Sequence, residues 1–152
     1  VEAESSRIGD LNLPRGIWQA IIAAPRIRLA VPVEARAAYT AQSYAEAAAD
    51  PERVAGIVNS LRPVHPAGRI EGWLRLVDAR DWVGLSAALM RDHYDPRYDR
   101  HRARHDDGRG RVVALEGLDD LDAAADRVEA ALAGLDWQPG AGGAAGASGG
   151  DI

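Results

Sequence analysis

The chain has 152 residues, a length that fits one domain, and it carries a formal net charge of -5 at pH 7. It has no Cys, and all 18 basic residues are Arg, which excludes disulfides, thiolate metal sites, a cysteine nucleophile and any phosphate-loop or Schiff-base lysine from this chain. The negative net charge argues against a surface that binds polyanions everywhere, but it leaves room for local basic patches.

The first part of the chain alternates between helix and strand patterns. Residues 13–24 carry apolar side chains at helical spacing behind Pro14, which suits a first helical turn. Residues 26–33 alternate strictly, which predicts a strand near a sheet edge because Pro32 cannot donate a backbone hydrogen bond. If residues 1–3 end an earlier strand, the succession forms a crossover unit and implies a parallel sheet.

The middle of the chain, residues 34–93, has a helical pattern throughout. We expect a helical hairpin or small bundle here. The predicted elements, in order, are an alanine-rich helix over 34–49, a helix from Pro51 capped by Asp50, a break at 62–66, a helix with the stripe Ile70, Trp73, Leu74 and Val77, and a helix capped by Asp81.

The last part of the chain is predicted to hold one strand and one helix. Residues 112–115 form a short apolar run that indicates a strand, and residues 120–135 have an amphipathic helical pattern that Gly134 ends. The Gly/Ala-rich residues 136–152 are predicted to be disordered, because they cannot bury enough apolar area to offset the entropy of ordering. The tryptophans on apolar stripes are assigned to the core: Trp18, Trp73, Trp82 and Trp137.

A first group of candidate ligand-binding residues lies at the start of the chain. Glu2 and Glu4 stand two apart at the end of the presumed strand, where acids of a phosphate-loop protein bind Mg²⁺ directly or through water. Ser5 and Arg7, with Gly9, suit a turn that holds phosphate. The alternative is that the acids are solvated surface residues and that the turn merely reverses the chain.

A second group lies in residues 97–111, where six Arg and two His stand against three Asp. Guanidinium groups bind phosphate through paired hydrogen bonds, and neighbouring tyrosines can stack on bases. The alternative is a solvated link between a helix and a strand. The candidates for contacts with RNA or a diphosphate are Tyr94, Arg97, Tyr98, Arg100, Arg102 and Arg104.

The histidines and Asp95 are weaker candidates. His101 and His105 are four apart, but the arginines between them and the lack of an intervening Glu predict no metal site. His65 and His93 have no partner at a useful spacing and are interpreted as packing or surface residues. Asp95 precedes a proline and is interpreted as a turn former rather than a catalytic group.

Several motifs occur in an order that resembles the tRNA 2-selenouridine synthases. The first is Glu-Ala-Glu-Ser at 2–5, followed by Arg7 and Ile-Gly at 8–9. A Leu-Pro pair at 13–14 opens the next helix, Ala-Ala-Pro leads into the alternating strand over 23–33, and Tyr-Asp-Pro-x-Tyr stands at 94–98. The resemblance covers residues 1 to about 135.

The resemblance implies an α/β fold in which a partial parallel sheet of the phosphate-loop (P-loop) type carries a mainly helical extension. It divides the chain into the C-terminal part of a P-loop-like domain (1–33), a helical extension (34–93), a basic segment with a strand and a closing helix (94–135), and the tail (136–152).

The family's members join a rhodanese-like domain, which supplies a catalytic cysteine, to a P-loop domain. They replace sulfur by selenium in the wobble 2-thiouridine of tRNA through an S-geranylated intermediate, using selenophosphate and geranyl diphosphate. This chain has neither the cysteine nor a Gly-x-x-x-x-Gly-Lys-Ser/Thr loop. We therefore expect a C-terminal, cytoplasmic fragment that binds tRNA, does not associate with membranes and is inactive without the N-terminal rhodanese and P-loop segments.

Two other functions stay open at this point. One is a non-catalytic helical binding or scaffold module, and the other is part of a P-loop kinase or ATPase. The upstream reading frame distinguishes them: a cysteine-bearing rhodanese domain before a P-loop supports the synthase, a P-loop alone supports the kinase or ATPase, and a genuine start codon supports the module.

Overall fold

The computed structural model describes residues 6–105 and 110–135, so the predicted strand over 1–3, the candidates Glu2, Glu4 and Ser5, Trp137 and the tail lie outside the described residues. Within those ranges the protein is mixed α/β and mostly helical. Its strands are β1 (Arg7–Ile8), β2 (Leu11–Asn12), β3 (Ile27–Ala30) and β4 (Arg111–Ala114). Its helices are α1 (Arg15–Ala23), α2 (Val33–Ser43), α3 (Ala45–Ala48), α4 (Pro51–Asn59), α5 (Ala67–Asp78), α6 (Trp82–Leu89), α7 (Asp95–His105) and α8 (Leu121–Ala133).

The two longer strands, β3 and β4, form a parallel pair, and α8 packs against both of them. The register sets Ile27 opposite Arg111 and Ala30 opposite Ala114. Gly110 enters β4 close to the neighbouring strand: a Cβ at this position would lie 2.9 Å from the Arg26 carbonyl oxygen, so only glycine fits without a shift. The strands predicted over 26–33 and 112–115 are thus confirmed as β3 and β4. The predicted parallel sheet is confirmed as a sheet of these two strands.

The segment before α1 is a hairpin, whereas the sequence predicted only a turn. Strands β1 and β2 pair antiparallel across a two-residue loop. Gly9 takes a positive φ of 59° there, which tight hairpin loops require of their first residue and which glycine adopts without steric cost. The chain does reverse at the predicted Gly9, but Arg7 lies on β1 rather than in the turn, and strands of two residues leave no periodic pattern to detect.

The helical unit has its core where α4, α5 and α6 meet. The buried cluster consists of Val58, Ile70, Trp73, Val77 and Leu85, and Trp82 packs against it. Trp18 is half-buried on α1. The apolar stripes of α4, α5 and α6 therefore face one another, as amphipathic helices do when they bury their apolar sides.

The predicted helix N-caps are confirmed by hydrogen bonds. Asp50 accepts from the Arg53 backbone N–H at 3.0 Å and begins α4, and Asp81 accepts from the Gly84 N–H at 2.8 Å and begins α6. Asp120 likewise accepts from the Ala123 N–H at 2.9 Å and begins α8. Each cap satisfies a backbone donor that the first helical turn leaves without a partner.

The predicted helix over 34–49 is interrupted. Tyr44 takes a φ of -105° and a ψ of 22°, which ends α2, and the short α3 that follows packs against α4. The sequence contains no Gly or Pro at this point, so the interruption had no local signal.

Residues 82–105 form an unbroken helical run, so Asp95 does not form a turn. A π-helical turn, Met90–Tyr94, joins α6 to α7, and the Asp95 N–H bonds to the Met90 carbonyl. A proline ring clashes with the preceding turn of a regular α-helix, so a widened turn directly before it gives Pro96 room. The Tyr-Asp-Pro-x-Tyr motif therefore lies on the helical run itself.

A buried isoleucine provides the test of this core. Ile70→Ala should lower the free energy of unfolding by about 2–5 kcal/mol, because Ile70 is 0% exposed and its truncation leaves a cavity. Ile57→Ala is the matched control: Ile57 is 58% exposed on α4, and its loss should cost about 0.5 kcal/mol or less. Urea denaturation followed by circular dichroism measures both, and equal losses would contradict the position of the core.

Candidate functional site

The Tyr-Asp-Pro-x-Tyr motif is held by a bidentate ion pair between Asp95 and Arg36. The Asp95 carboxylate accepts hydrogen bonds from Arg36 Nη1 at 2.8 Å and from Arg36 Nη2 at 2.7 Å. Arg36 lies in the first turn of α2, which follows β3 closely, and Asp95 is the first residue of α7. The pair therefore ties the motif to the carboxyl end of β3.

This ion pair is half-buried, with 32% of the Arg36 side chain and 34% of the Asp95 side chain exposed. The hydrogen bonds to Asp95, which outweigh the opposing effect of burial, raise the pKa of Arg36 above its ordinary value. The Arg36 Nε is buried and has no hydrogen-bond partner within the part of the chain that the structure describes. Arg36 thus stays cationic, and its buried Nε–H is a donor that Asp95 does not engage.

A cleft of about 560 Å³ lies beside this pair, at the carboxyl ends of the parallel strands. In parallel α/β proteins this edge is where ligands bind. The cleft is lined by two cationic and two anionic side chains, whose charges balance. The cleft therefore suits a polar ligand that both donates and accepts hydrogen bonds. Its lining includes Arg28, Arg36, Asp95, Asp99 and the strand ends at 30–32 and 114–115.

The π-helical turn is held from two sides by polar contacts. On the α2 side, Arg91 Nη2 donates to Glu34 Oε1 at 2.6 Å. On the α5 side, Arg69 Nε lies 3.7 Å from Asp92 Oδ2. Both contacts lie at the surface, so the half-buried Arg36–Asp95 pair is the stronger restraint on the position from which α7 projects.

An apolar groove of about 500 Å³ also borders the motif, between α2–α4 and α6. Small alanine side chains leave the space, and larger aliphatic and aromatic side chains line it. Its lining contains no charged residue, and consists of Thr40, Ala41, Tyr44, Ala47, Ala48, Val54, Trp82, Leu85, Ser86, Leu89, Met90 and Tyr94. Because Tyr94 lines the groove and Asp95 lines the cleft, the two depressions meet at the motif.

The predicted RNA or diphosphate contacts all lie on or next to α7. Tyr94 is 49% exposed, Tyr98 is 41% exposed, and Arg97 and Arg100 are exposed. Positions 97, 100 and 104 fall on one face of the helix, as residues three and seven apart do. The backbone at 102 and 104 is helical, and those two side chains lie outside the described residues. The basic segment is therefore a helix through His105 rather than an irregular link.

The first predicted group is only partly described. Arg7 donates from Nε to the Gly9 carbonyl at 2.9 Å, and its Nη2 lies 3.6 Å from Asp10 Oδ1. These contacts lie within its own hairpin, and the other members, Glu2, Glu4 and Ser5, lie outside the described residues. Their phosphate-binding role stays a prediction.

The histidine pair was not foreseen from the sequence. His65 Nε2 and His93 Nδ1 are 2.8 Å apart, although 28 residues separate them in the chain. No spacing rule connects positions that far apart, so only the folded structure, which brings the segment before α5 to the π-helical turn, reveals the contact. Among the described residues, no three His, Cys, Asp or Glu side chains cluster in a way that could hold a metal ion.

Comparisons with known proteins do not identify this chain: no family model matches it, and neither do the curated proteins or the solved structures. Within the ranges that the structure covers, no helix is long and apolar enough to span a membrane. A functional assignment therefore rests on the sequence motifs and on the site geometry.

The Arg36–Asp95 pair can be tested with a double-mutant cycle of Arg36→Ala and Asp95→Ala. We expect a coupling energy of about 1–2 kcal/mol, because the two hydrogen bonds are charge-assisted and half-buried. The exposed pair Glu34–Arg91 provides the matched control, and its coupling should be clearly smaller because solvent screens both charges. Urea denaturation measures both cycles. A coupling at Arg36–Asp95 no larger than the control would contradict its structural importance.

Proposed function

We propose that this chain is the C-terminal portion of a tRNA 2-selenouridine synthase, with its β3–β4 pair belonging to a larger P-loop-type sheet. The proposal starts from the ordered motifs over residues 2–98. It gains support from the parallel β3–β4 pair with helices beside it, since a sheet of this kind is the scaffold on which P-loop domains are built.

One observation carries the proposal. The Asp95 carboxylate of the Tyr-Asp-Pro-x-Tyr motif is held by Arg36 at the carboxyl edge of the sheet. The motif borders an uncharged groove through Tyr94, and its Asp95 begins the arginine-bearing helix α7. Such a pairing suits a substrate that joins a hydrocarbon chain to a diphosphate, and geranyl diphosphate is a substrate of this kind.

In this proposal the groove binds the geranyl chain. Its aliphatic and aromatic lining favours a hydrocarbon over a polar group, since transfer of apolar surface out of water is favourable and no charge has to be desolvated. Thr40, Ser86 and the Tyr44 hydroxyl supply the few polar contacts that fix orientation. The diphosphate then faces the α7 arginines, whose guanidinium groups bind phosphate oxygens in pairs.

The same helix is proposed to bind the anticodon arm of tRNA. Exposed Arg97 and Arg100 suit phosphates, and Tyr94 and Tyr98 offer exposed rings for unstacked bases. The chemistry of sulfur removal and selenium transfer needs a cysteine and a phosphate loop that this chain does not contain. The chain's own contribution is therefore to bind and orient substrates, and alone it should not turn over.

One alternative has an observation in its favour. A non-catalytic helical binding module would also have its core in α4–α6 and an apolar groove beside it. A P-loop kinase or ATPase fragment has no comparable support, because an apolar groove serves no purpose for a nucleotide phosphate. Ligand binding separates the synthase from the helical module.

A groove-filling substitution tests the geranyl site. Ala48→Leu adds side-chain volume inside the groove and should weaken binding of geranyl diphosphate by tenfold or more in isothermal titration calorimetry. Ala38→Leu makes the same change at an exposed position of α2 and should leave binding unchanged. Inorganic diphosphate should bind more weakly than geranyl diphosphate to the unaltered chain. Equal affinity for the two ligands would argue against a hydrocarbon site and favour the helical module.

An RNA-binding assay tests the role of α7. The chain should bind a 2-thiouridine-containing anticodon stem-loop with an affinity that falls as salt rises, since phosphate contacts release counterions. Arg97→Ala/Arg100→Ala should lower the salt slope by roughly 1.4–1.8, at about 0.7–0.9 per lost contact.

Arg53→Ala/Arg75→Ala removes the same charge from exposed positions on α4 and α5 and is the matched control. Filter binding at several salt concentrations measures each protein. If both double variants lost affinity equally, net charge rather than a site on α7 would account for the binding.

A further inference from the structure

The His65–His93 contact links the π-helical turn to the segment that leads into α5. His65 Nε2 and His93 Nδ1 are 2.8 Å apart, and His93 is only 8% exposed. The edge of the His65 ring packs against Trp73, a core residue, with ring centroids 4.9 Å apart. The His93 ring in turn packs against Tyr94, with centroids 5.0 Å apart. A continuous line of rings therefore runs from the core to the wall of the apolar groove.

The contact requires that at least one of the two imidazoles be neutral. A neutral ring has one nitrogen that donates and one that accepts, whereas a protonated ring donates from both. If His65 and His93 were both protonated, two N–H groups and two positive charges would face each other across the same gap. The hydrogen bond would then be lost and replaced by repulsion.

The charged groups around the pair do not relieve that repulsion. On α7, Arg97 adds a further positive charge near His93. On the π-helical turn, Asp92 is paired with Arg69 of α5.

On the α2 side, the neighbouring charges of the turn are also engaged. Arg91 pairs with Glu34, and Asp95 pairs with Arg36. The carboxylates nearest to the histidine pair in sequence are thus already held by arginines.

We propose that the His65–His93 hydrogen bond is a pH-sensitive latch, which holds the π-helical turn on the segment before α5 at neutral pH and releases it in mild acid. Release moves Tyr94, which lines the apolar groove, and Asp95, which lines the polar cleft. Protonation of both rings would therefore alter the two depressions together. The latch is a property of the fold and does not depend on which ligand the chain binds.

The direction of the pH effect follows from the burial of His93. Burial, followed by the charges of Arg97 and His65, lowers the pKa of His93 below its ordinary value. Once released, the His93 ring regains the ordinary histidine pKa of about 6.5. It therefore binds more protons than the latched ring does. The latch is consequently at full strength above pH about 6.5 and weakens as the pH falls from there toward the lowered pKa of the latched state.

Hydrogen exchange on the full chain tests the latch directly. After correction for intrinsic rates, protection of the backbone amides over residues 91–95 should fall on the order of tenfold between pH 7.5 and pH 5.0, because the released state takes up to one more proton. Amides of the buried core at Val58 and Ile70 should keep their protection. Unchanged protection of the turn, or an equal loss throughout the chain, would overturn the proposal.

Two variants separate the pair from the other histidines. His93→Gln keeps a hydrogen-bonding side chain that does not titrate. It should remove the pH-dependent step, which is the loss of amide protection over residues 91–95 between pH 7.5 and pH 5.0. His101→Gln/His105→Gln deletes two titrating groups elsewhere and should keep the step. A step that survives His93→Gln, or that disappears only in the His101/His105 variant, would contradict the latch. If His93→Gln does not fold, His65→Gln serves in its place, with the same expected loss of the step.

Discussion

The two hydrogen bonds between Arg36 and Asp95 join parts of the chain that lie 59 residues apart. Arg36 stands just beyond β3, and Asp95 stands where the π-helical turn becomes α7. Because a guanidinium and a carboxylate fit in only a few coplanar arrangements, the pair fixes orientation as well as distance. The cleft, the groove and the direction of α7 are all defined relative to this contact, which makes it the constraint on which the site depends.

Most of the features that could be predicted from the sequence depend on contacts between residues close together in the chain. Asp50 and Asp81 were recognised as helix caps because capping needs only a side-chain oxygen and a backbone N–H three residues on. The strict alternation over 26–33 likewise predicted β3, although the ladder ends at Ala30 before Pro32. The stripes of α4, α5 and α6 were visible because each repeats within a single helix.

The features that create the site were not visible, because they depend on tertiary contacts. Nothing near Arg36 distinguishes it from the other arginines of the chain, since its partner is brought in by the packing of α2 against α6 and the π-helical turn. His65 and His93 were judged separately for the same reason. The Asp-Pro pair at 95–96 is an ordinary turn signal, and only the widened turn before it allows the helix to continue.

The geometry also decides what Asp95 does. The residue belongs to the most specific motif of the chain, and a catalytic role for its carboxylate was considered from the sequence. Both of its oxygens accept hydrogen bonds from Arg36, so the carboxylate is already engaged by the guanidinium. A general base at this position would have to break the contact that builds the site. In the structure Asp95 is therefore a positioning residue, which lies between the groove-lining Tyr94 and the rest of α7.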